Sequence, residues 1–238
     1  MLMLEINHLN AGYGGTQVLF DVSIRVGGGQ IACLMGRNGV GKTTLLNTIM
    51  GLIPANNGQI ISNSREITAL PAHIRAWSGI GYVPQGRGIF PGLTVAENLE
   101  TGLDAMGKPF PNGVLTDSLQ EVLDIFPGLK PLLKRRGGNL SGGQQQQLAI
   151  ARALISKPHL LLFDEPTEGI QPSIIDQIEE LLLEIREQRK VSILLVEQYV
   201  EFAVKVADYY YFMETGKIAA KGPIRMLTDE IIREHMEI

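Results

Sequence analysis

Cysteine, histidine, long apolar runs and excess charge are all scarce in this chain. One cysteine in 238 residues, Cys33, excludes an internal disulfide, and its apolar neighbours read as a buried strand. The four histidines, His8, His73, His159 and His235, are scattered without metal-ligand spacing. No apolar run approaches the roughly 18–20 residues that span a bilayer. The longest candidates, Leu160–Phe163 and Val191–Val196, have the length of buried strands. Met1–Asn10 has neither a basic start nor a cleavage site and does not read as a secretory signal. A net charge of −4 argues against a nucleic-acid surface. There is no internal repeat, and the only biased segment is Gln144–Gln147. These absences favour the cytosol.

What remains is an ordinary globular balance of 45% hydrophobic and 19% charged residues. The length suits one large α/β domain with a subdomain, or two small domains. Residues 2–9 and 17–26 read as strands, with Val22, Ile24 and Val26 alternating with Ser23 and Arg25. Ile31–Met35 is a strand apolar on both faces. Lys42–Met50 reads as a helix stopped by Gly51 and Pro54, Gln59–Ile67 as a further strand of the first sheet, and Ile80–Val83 as a short buried strand. Between about residues 88 and 155 strand signals fade. Thr94–Leu103, Thr116–Phe126 and Gln144–Ile155 read as helices there, which predicts a helical insertion. Leu160–Phe163, Val191–Val196 and Tyr209–Met213 return to strand. Between the first two, Ile174, Ile175, Ile178, Leu181, Leu182 and Ile185 mark one face of a helix with Pro172 in its first turn. Glu214-Thr215-Gly216 fits a hairpin turn, Thr228 a helix cap, and Trp77 a packing anchor under the helical insertion.

Three segments carry chemistry. Gly36-Arg37-Asn38-Gly39-Val40-Gly41-Lys42-Thr43 fits G-x-x-x-x-G-K-[ST] and leads into Thr44. Its glycines let the backbone close on phosphates, and its N–H groups and the following helix end form an anion nest. Lys42 can reach the terminal phosphates, and Thr43 can offer a hydroxyl to Mg²⁺. Leu160–Glu165 is an apolar strand ending in two carboxylates at the sheet edge that holds the phosphates. Asp164 is placed to hold Mg²⁺, and Glu165 to accept a proton from, or orient, the attacking water. Leu140-Ser141-Gly142-Gly143-Gln144 contains a capping box, Ser141 to Gln144, and its glycines leave the helix N-terminus open to an anion.

With these segments in this order, the chain resembles the ATP-binding subunits of ABC transporters over essentially its whole length. The resemblance implies a P-loop NTPase (RecA-like) core with an antiparallel β subdomain, spanning 1–87 and 156–238, and a helical subdomain over 88–155. It implies an ATPase that binds ATP and Mg²⁺. Tyr13 would stack on adenine. Gln85, in Val83-Pro84-Gln85, would touch Mg²⁺ and water and link the core to the helical subdomain, and Arg87–Glu97 would face the membrane subunit. Gln198, after Val196-Glu197, would lie by the γ-phosphate. Ser141, Gly142, Gly143 and Gln144 would close on the ATP of a second subunit, either a copy of this chain or a paralogous ATPase. The other implied partners are two membrane permease subunits and, indirectly, a periplasmic solute-binding protein. The implied place is the inner face of the cell membrane. Two departures stand out: Gln171 where the family often has Asp, and Gln198 where it usually has His. Neutral amides at both positions predict slow unaided hydrolysis.

Within the family, Ala11-Gly12-Tyr13-Gly14, Gln85-Gly86-Arg87 and Val196-Glu197-Gln198 resemble importers of branched-chain amino acids and their relatives. Gln144–Gln147 with Leu148–Arg152, and Glu168–Ser173, resemble the urea-importing member, so the expected solute is urea and the alternative is branched-chain amino acids. Two other classes stay open: a cassette acting on DNA or ribosomes, which the lack of basic extensions disfavours, and a clamp that binds ATP and scarcely hydrolyses it.

Overall fold

The computed structural model describes residues 1–104 and 114–236. The chain opens with β1 (Leu2–Tyr13), β2 (Thr16–Gly27), β3 (Ile31–Met35), α1 (Lys42–Met50), β4 (Ala55–Ser62), β5 (Arg65–Glu66), α2 (Ala72–Trp77) and β6 (Ile80–Val83). Helices α3 (Val95–Leu103), α4 (Val114–Ile125) and α5 (Gly142–Leu154) follow. The chain then runs through β7 (Leu160–Asp164), α6 (Pro172–Arg189), β8 (Ser192–Glu197), α7 (Val200–Val206), β9 (Tyr209–Glu214), β10 (Lys217–Pro223) and α8 (Asp229–Met236). No described strand lies between β6 and β7, which matches the expected change of texture.

Two sheets form. One is antiparallel, in the order β2-β1-β4-β5. The other runs β10-β9-β3-β8-β7-β6, parallel except for β10 at its edge. Every residue of β3, β7 and β8 is buried, as strands covered on both faces must be. Their side chains alternate between two cores. Cys33, Met35, Leu161, Phe163, Ile193 and Leu195 join the core that includes α3, α5 and α6. Ala32, Leu34, Leu160, Leu162, Leu194 and Val196 join the core that includes β1, β2 and α1. Val95, Leu99, Val122 and Phe126 belong to the first core, so the helices between β6 and β7 share apolar packing with the parallel sheet.

Local chemistry sets the ends. Ser141 accepts from Gln144 N–H at 3.3 Å while Gln144 Oε1 accepts from Ser141 N–H at 3.0 Å, the predicted capping box of α5. Thr215 and Gly216 have φ of 42° and 76°, a two-residue turn of the twist a hairpin requires. Thr228 Oγ1 accepts from Ile231 N–H at the start of α8. Pro172 is the first residue of α6. Helices α2 and α7, of six and seven residues, are too short to show a helical period and were not expected. Trp77, expected as a packing anchor under the helical insertion, ends α2 with 47% of its surface exposed and its ring in a T-shaped contact with His73.

Candidate nucleotide site

Parallel pairing brings three strand ends together. Met35 of β3 is level with Glu197 of β8, and Val196 of β8 with Asp164 of β7. The segments that follow, Gly36–Thr44, Glu165–Gln171 and Gln198–Tyr199, therefore leave the same edge of the sheet side by side. Ligands of open α/β sheets bind at this edge.

Gly36 turns out of β3 with φ 154°, and a Cβ there would meet the Met213 carbonyl oxygen at 2.5 Å. Gly41, at φ 112°, opens α1. The helical ladder starts with Leu45 N–H donating to Gly41 C=O at 2.9 Å. The N–H groups of Lys42, Thr43 and Thr44 thus face the loop without a helical acceptor, as an anion site needs. Arg37, Asn38 and Gly39 are exposed at the tip and Val40 is half-buried behind them. Lys42 is buried. Its Nζ donates to the carbonyls of Gly36 at 2.8 Å and Arg37 at 2.9 Å and lies 3.2 Å from Glu165 Oε1.

Thr43 Oγ1 donates to Asp164 Oδ1 at 3.2 Å, so a hydroxyl and a carboxylate oxygen converge beside the loop. Burial above all pushes the Asp164 carboxyl up to about 6, Glu165's charge adds to this, and the hydrogen bond from Thr43 opposes it. Among the described residues no cluster of three His, Cys, Asp or Glu forms a metal cage. The donor set fits Mg²⁺ nonetheless, because that ion takes hard oxygens and usually only one or two carboxylates, with phosphates and waters completing its shell.

Glu165 sits at φ 48°, a left-handed conformation uncommon for a residue with a side chain. Its Oε1 accepts from Gln198 Nε2 at 2.8 Å. The same nitrogen donates to Asn38 Oδ1 at 2.7 Å, so Gln198 bridges the phosphate loop and the carboxylate. Gln85 donates to Glu168 Oε2 at 2.8 Å and stands 3.5 Å from Glu165 Oε2. Its amide is thus turned to the loop after β7, and its hydrogen bonds do not go to Thr43 or Asp164. Tyr13, at the end of β1, is half exposed. Gln171 is the exposed residue before α6 and makes no capping bond. Ser141 caps α5, and Gly142, Gly143 and Gln144 form its first turn. The capping bonds of Ser141 and Gln144 stay within that turn.

The sequence did not single out Glu197 or Thr167. Glu197, 2% exposed, accepts from Thr167 Oγ1 at 2.9 Å, Thr167 N–H at 3.2 Å, Gln198 N–H at 3.1 Å and Tyr199 N–H at 3.3 Å. The signal was present: a carboxylate ending the apolar run Val191–Val196, as Asp164 ends Leu160–Phe163.

The ABC transporter family model matches residues 19–168. The chain belongs to the ABC transporter family. The cassette is 43% identical to the high-affinity branched-chain amino acid transport ATP-binding protein BraG of Pseudomonas aeruginosa, over 98% of both chains. It is 40% identical to the probable branched-chain amino acid transport ATP-binding protein LivF of Archaeoglobus fulgidus, over 95% of this chain and 94% of that one. It is 33% identical to the lipopolysaccharide export ATP-binding protein LptB of Haemophilus influenzae, over 98% and 96%. Among solved structures, an ATP-binding cassette of an ABC transporter superposes with a TM-score of 0.82 at 27% identity, each chain covered to 98%. A dimeric bacterial cassette does so with 0.84 at 26%, over 94% of this chain and all of that one. The predicted P-loop core with its antiparallel sheet is the observed fold, and the chain is an ATPase that serves a transporter. No helix among the described residues is long and apolar enough to cross a membrane.

Proposed function

We propose that the chain is the ATP-hydrolysing subunit of an importer for branched-chain amino acids. The observation that carries this reading is the 40–43% identity to LivF and BraG over nearly the full length of each chain. The urea expectation finds no counterpart among these relatives and is kept only as a second reading, on Gln144–Gln147 and Glu168–Ser173.

On this reading each residue of the site has a role. Gly36–Thr44 receives the phosphates, with Lys42 leaving its loop carbonyls to meet them. Tyr13 offers its exposed ring to the base. Thr43 and Asp164 would hold Mg²⁺, with Gln85 nearby, its amide turned to the loop after β7. The ion would supply charge neutralisation at the terminal phosphates. Glu165 orients and deprotonates the attacking water, and Gln198 fixes the orientation of Glu165. The open α5 N-terminus at Ser141–Gln144 supplies N–H donors to the nucleotide of a partner cassette. On this assignment residues 1–87 and 156–238 form the core and 88–155 the helical subdomain.

The implied assembly has two cassettes on two permease subunits at the cytoplasmic face, fed by a solute-binding protein. The groove lined by Met50, Ala76, Tyr82, Phe90, Gly102 and Arg152 lies between core and helical subdomain, where a permease segment would dock. The test is reconstitution of the complex in liposomes with the solute-binding protein of the same locus. ATPase stimulation by leucine-loaded protein supports the reading. Stimulation by urea alone transfers it to the second. No response to either, with an active ATPase, overturns the importer assignment.

A further inference from the structure

Glu197 is an expensive residue for its place. The strand it ends is otherwise apolar, the side chain is almost wholly buried, and its four hydrogen-bond donors are all neutral. A buried carboxylate is tolerated when its lone pairs are satisfied, and an apolar residue would avoid the cost altogether. The four contacts divide evenly. Oε1 takes both bonds from Thr167, in the loop after β7. Oε2 takes both bonds from Gln198 and Tyr199, in the loop after β8. One carboxylate therefore ties together the two loops that carry Glu165 and the Gln198 side chain.

The tie closes a ring. Thr167 lies two residues beyond Glu165. Gln198 Nε2 returns to Glu165 Oε1 at 2.8 Å and to Asn38 of the phosphate loop at 2.7 Å. Beyond Thr167, Glu168 and Gly169 are exposed, and Glu168 takes the Gln85 amide. The Glu197 side chain thus connects Thr167 to the backbone of Gln198 and Tyr199.

We propose that Glu197, with Thr167, is a positioning pair that locks the loop after β7 to the loop after β8 and thereby sets the seat of Gln198 against Glu165. The inference rests on the site assignment given above. Glu197 is 2% exposed, and its hydrogen bonds run to Thr167, Gln198 and Tyr199. It acts by holding two backbone N–H groups and one threonine at fixed distance. An amide in its place keeps the volume but turns an NH₂ group toward donors, either the Thr167 pair or the Gln198–Tyr199 pair. The loop on that side must move.

The experiment is a double-mutant cycle on the assembled transporter with Glu197→Gln, Gln198→Ala and both together. It reads ATP affinity by calorimetry, steady-state phosphate release and Tm. Glu197→Gln is expected to lower kcat roughly 10- to 100-fold, the cost of misplacing a reacting group by about an ångström, with ATP affinity unchanged. In the Gln198→Ala background the same change is expected to cost less than threefold, because the group it positions is gone. Thr167→Val, which removes one donor and keeps the shape, is expected to show the same pattern more weakly, and it decides the matter if Glu197→Gln does not fold. Full multiplication of the two losses, or a loss of ATP affinity in parallel with kcat, overturns the proposal in favour of a merely structural role. If Gln198→Ala alone leaves the rate unchanged, the site assignment itself fails and the proposal falls with it.

Discussion

Lys42 Nζ and Glu165 Oε1 lie 3.2 Å apart, and both side chains are buried. The lysine of the phosphate loop and the carboxylate at the end of β7 are thus an ion pair within the loop region. ATP must compete with Glu165, and with two backbone carbonyls, for the ammonium. Two predictions come from that competition.

Lys42→Ala removes a buried cationic side chain that bonds within the loop and leaves the Glu165 carboxylate without that ion-pair partner. A charge-assisted contact to phosphate contributes about 1.5–3 kcal/mol. ATP affinity is expected to fall about ten- to a hundredfold by titration calorimetry. Equal affinity in the two proteins would remove Lys42 from the phosphate site.

Glu165→Gln keeps the shape of the side chain, cannot take a proton, and weakens the competitor for Lys42. Turnover is expected to be lost while ATP binds about fivefold more tightly, the equivalent of about 1 kcal/mol released from one ion pair. ATP-dependent dimers should accumulate in light scattering. Wild-type turnover in the assembled complex would show that another group activates the water.

These pairings mark the limit of what the sequence could say. The phosphate loop, the α5 capping box and the β7 carboxylates were legible because each depends on residues close together in the chain. Lys42–Met50 was read to the residue, since Gly41 and Gly51 punctuate it. The order of strands in the parallel sheet was not legible, because nothing local says that β3 lies between β8 and β9. For the same reason Gln198 could be placed near phosphate only through the resemblance, while its bonds to Asn38 and Glu165 span 160 and 33 residues of chain. Glu197 was passed over because a glutamate at a strand end looks like a solvated edge until Thr167 and two backbone N–H groups are seen around it. Gln85 shows the opposite case. Its place was expected, but the bond to Glu168 depends on how the loop after β7 turns, which no spacing rule encodes.

Asp164 makes the pH dependence specific. Its carboxyl is raised to about 6 by burial, so the folded chain without nucleotide or metal binds this proton more tightly than the unfolded chain does. For this group, stability is greatest below the unfolded carboxylate value of about 4 and falls as pH rises through about 6. Asp164→Asn is therefore expected to raise Tm of the nucleotide-free protein at pH 8, with the gain shrinking as pH falls from about 6 to about 4. Addition of Mg²⁺ and ATP should reverse the order, since the cation favours the ionised carboxylate that the variant lacks. A pH-independent difference in Tm would show that Asp164 does not titrate in this range.

Gln198 carries the last prediction. Its Nε2 has two hydrogens and both are engaged, one on Asn38 Oδ1 at 2.7 Å and one on Glu165 Oε1 at 2.8 Å. The amide thus holds the phosphate loop and the Glu165 carboxylate in one arrangement without adding charge. Gln198→Ala frees both partners, and the rate of the assembled transporter is expected to fall roughly 10²-fold, the usual cost of one preorganised donor. Gln198→His offers one N–H on each ring nitrogen at most, so it can keep the bond to Glu165 and must give up the second bond from the same atom. It gains the ability to carry a proton near neutral pH. Its rate is expected to equal or exceed that of the wild type, with a dependence on pH between about 6 and 7 added to any that Asp164 gives the wild type. Steady-state phosphate release from the three proteins across that range decides it. An alanine variant as fast as the wild type would make Gln198 a bystander.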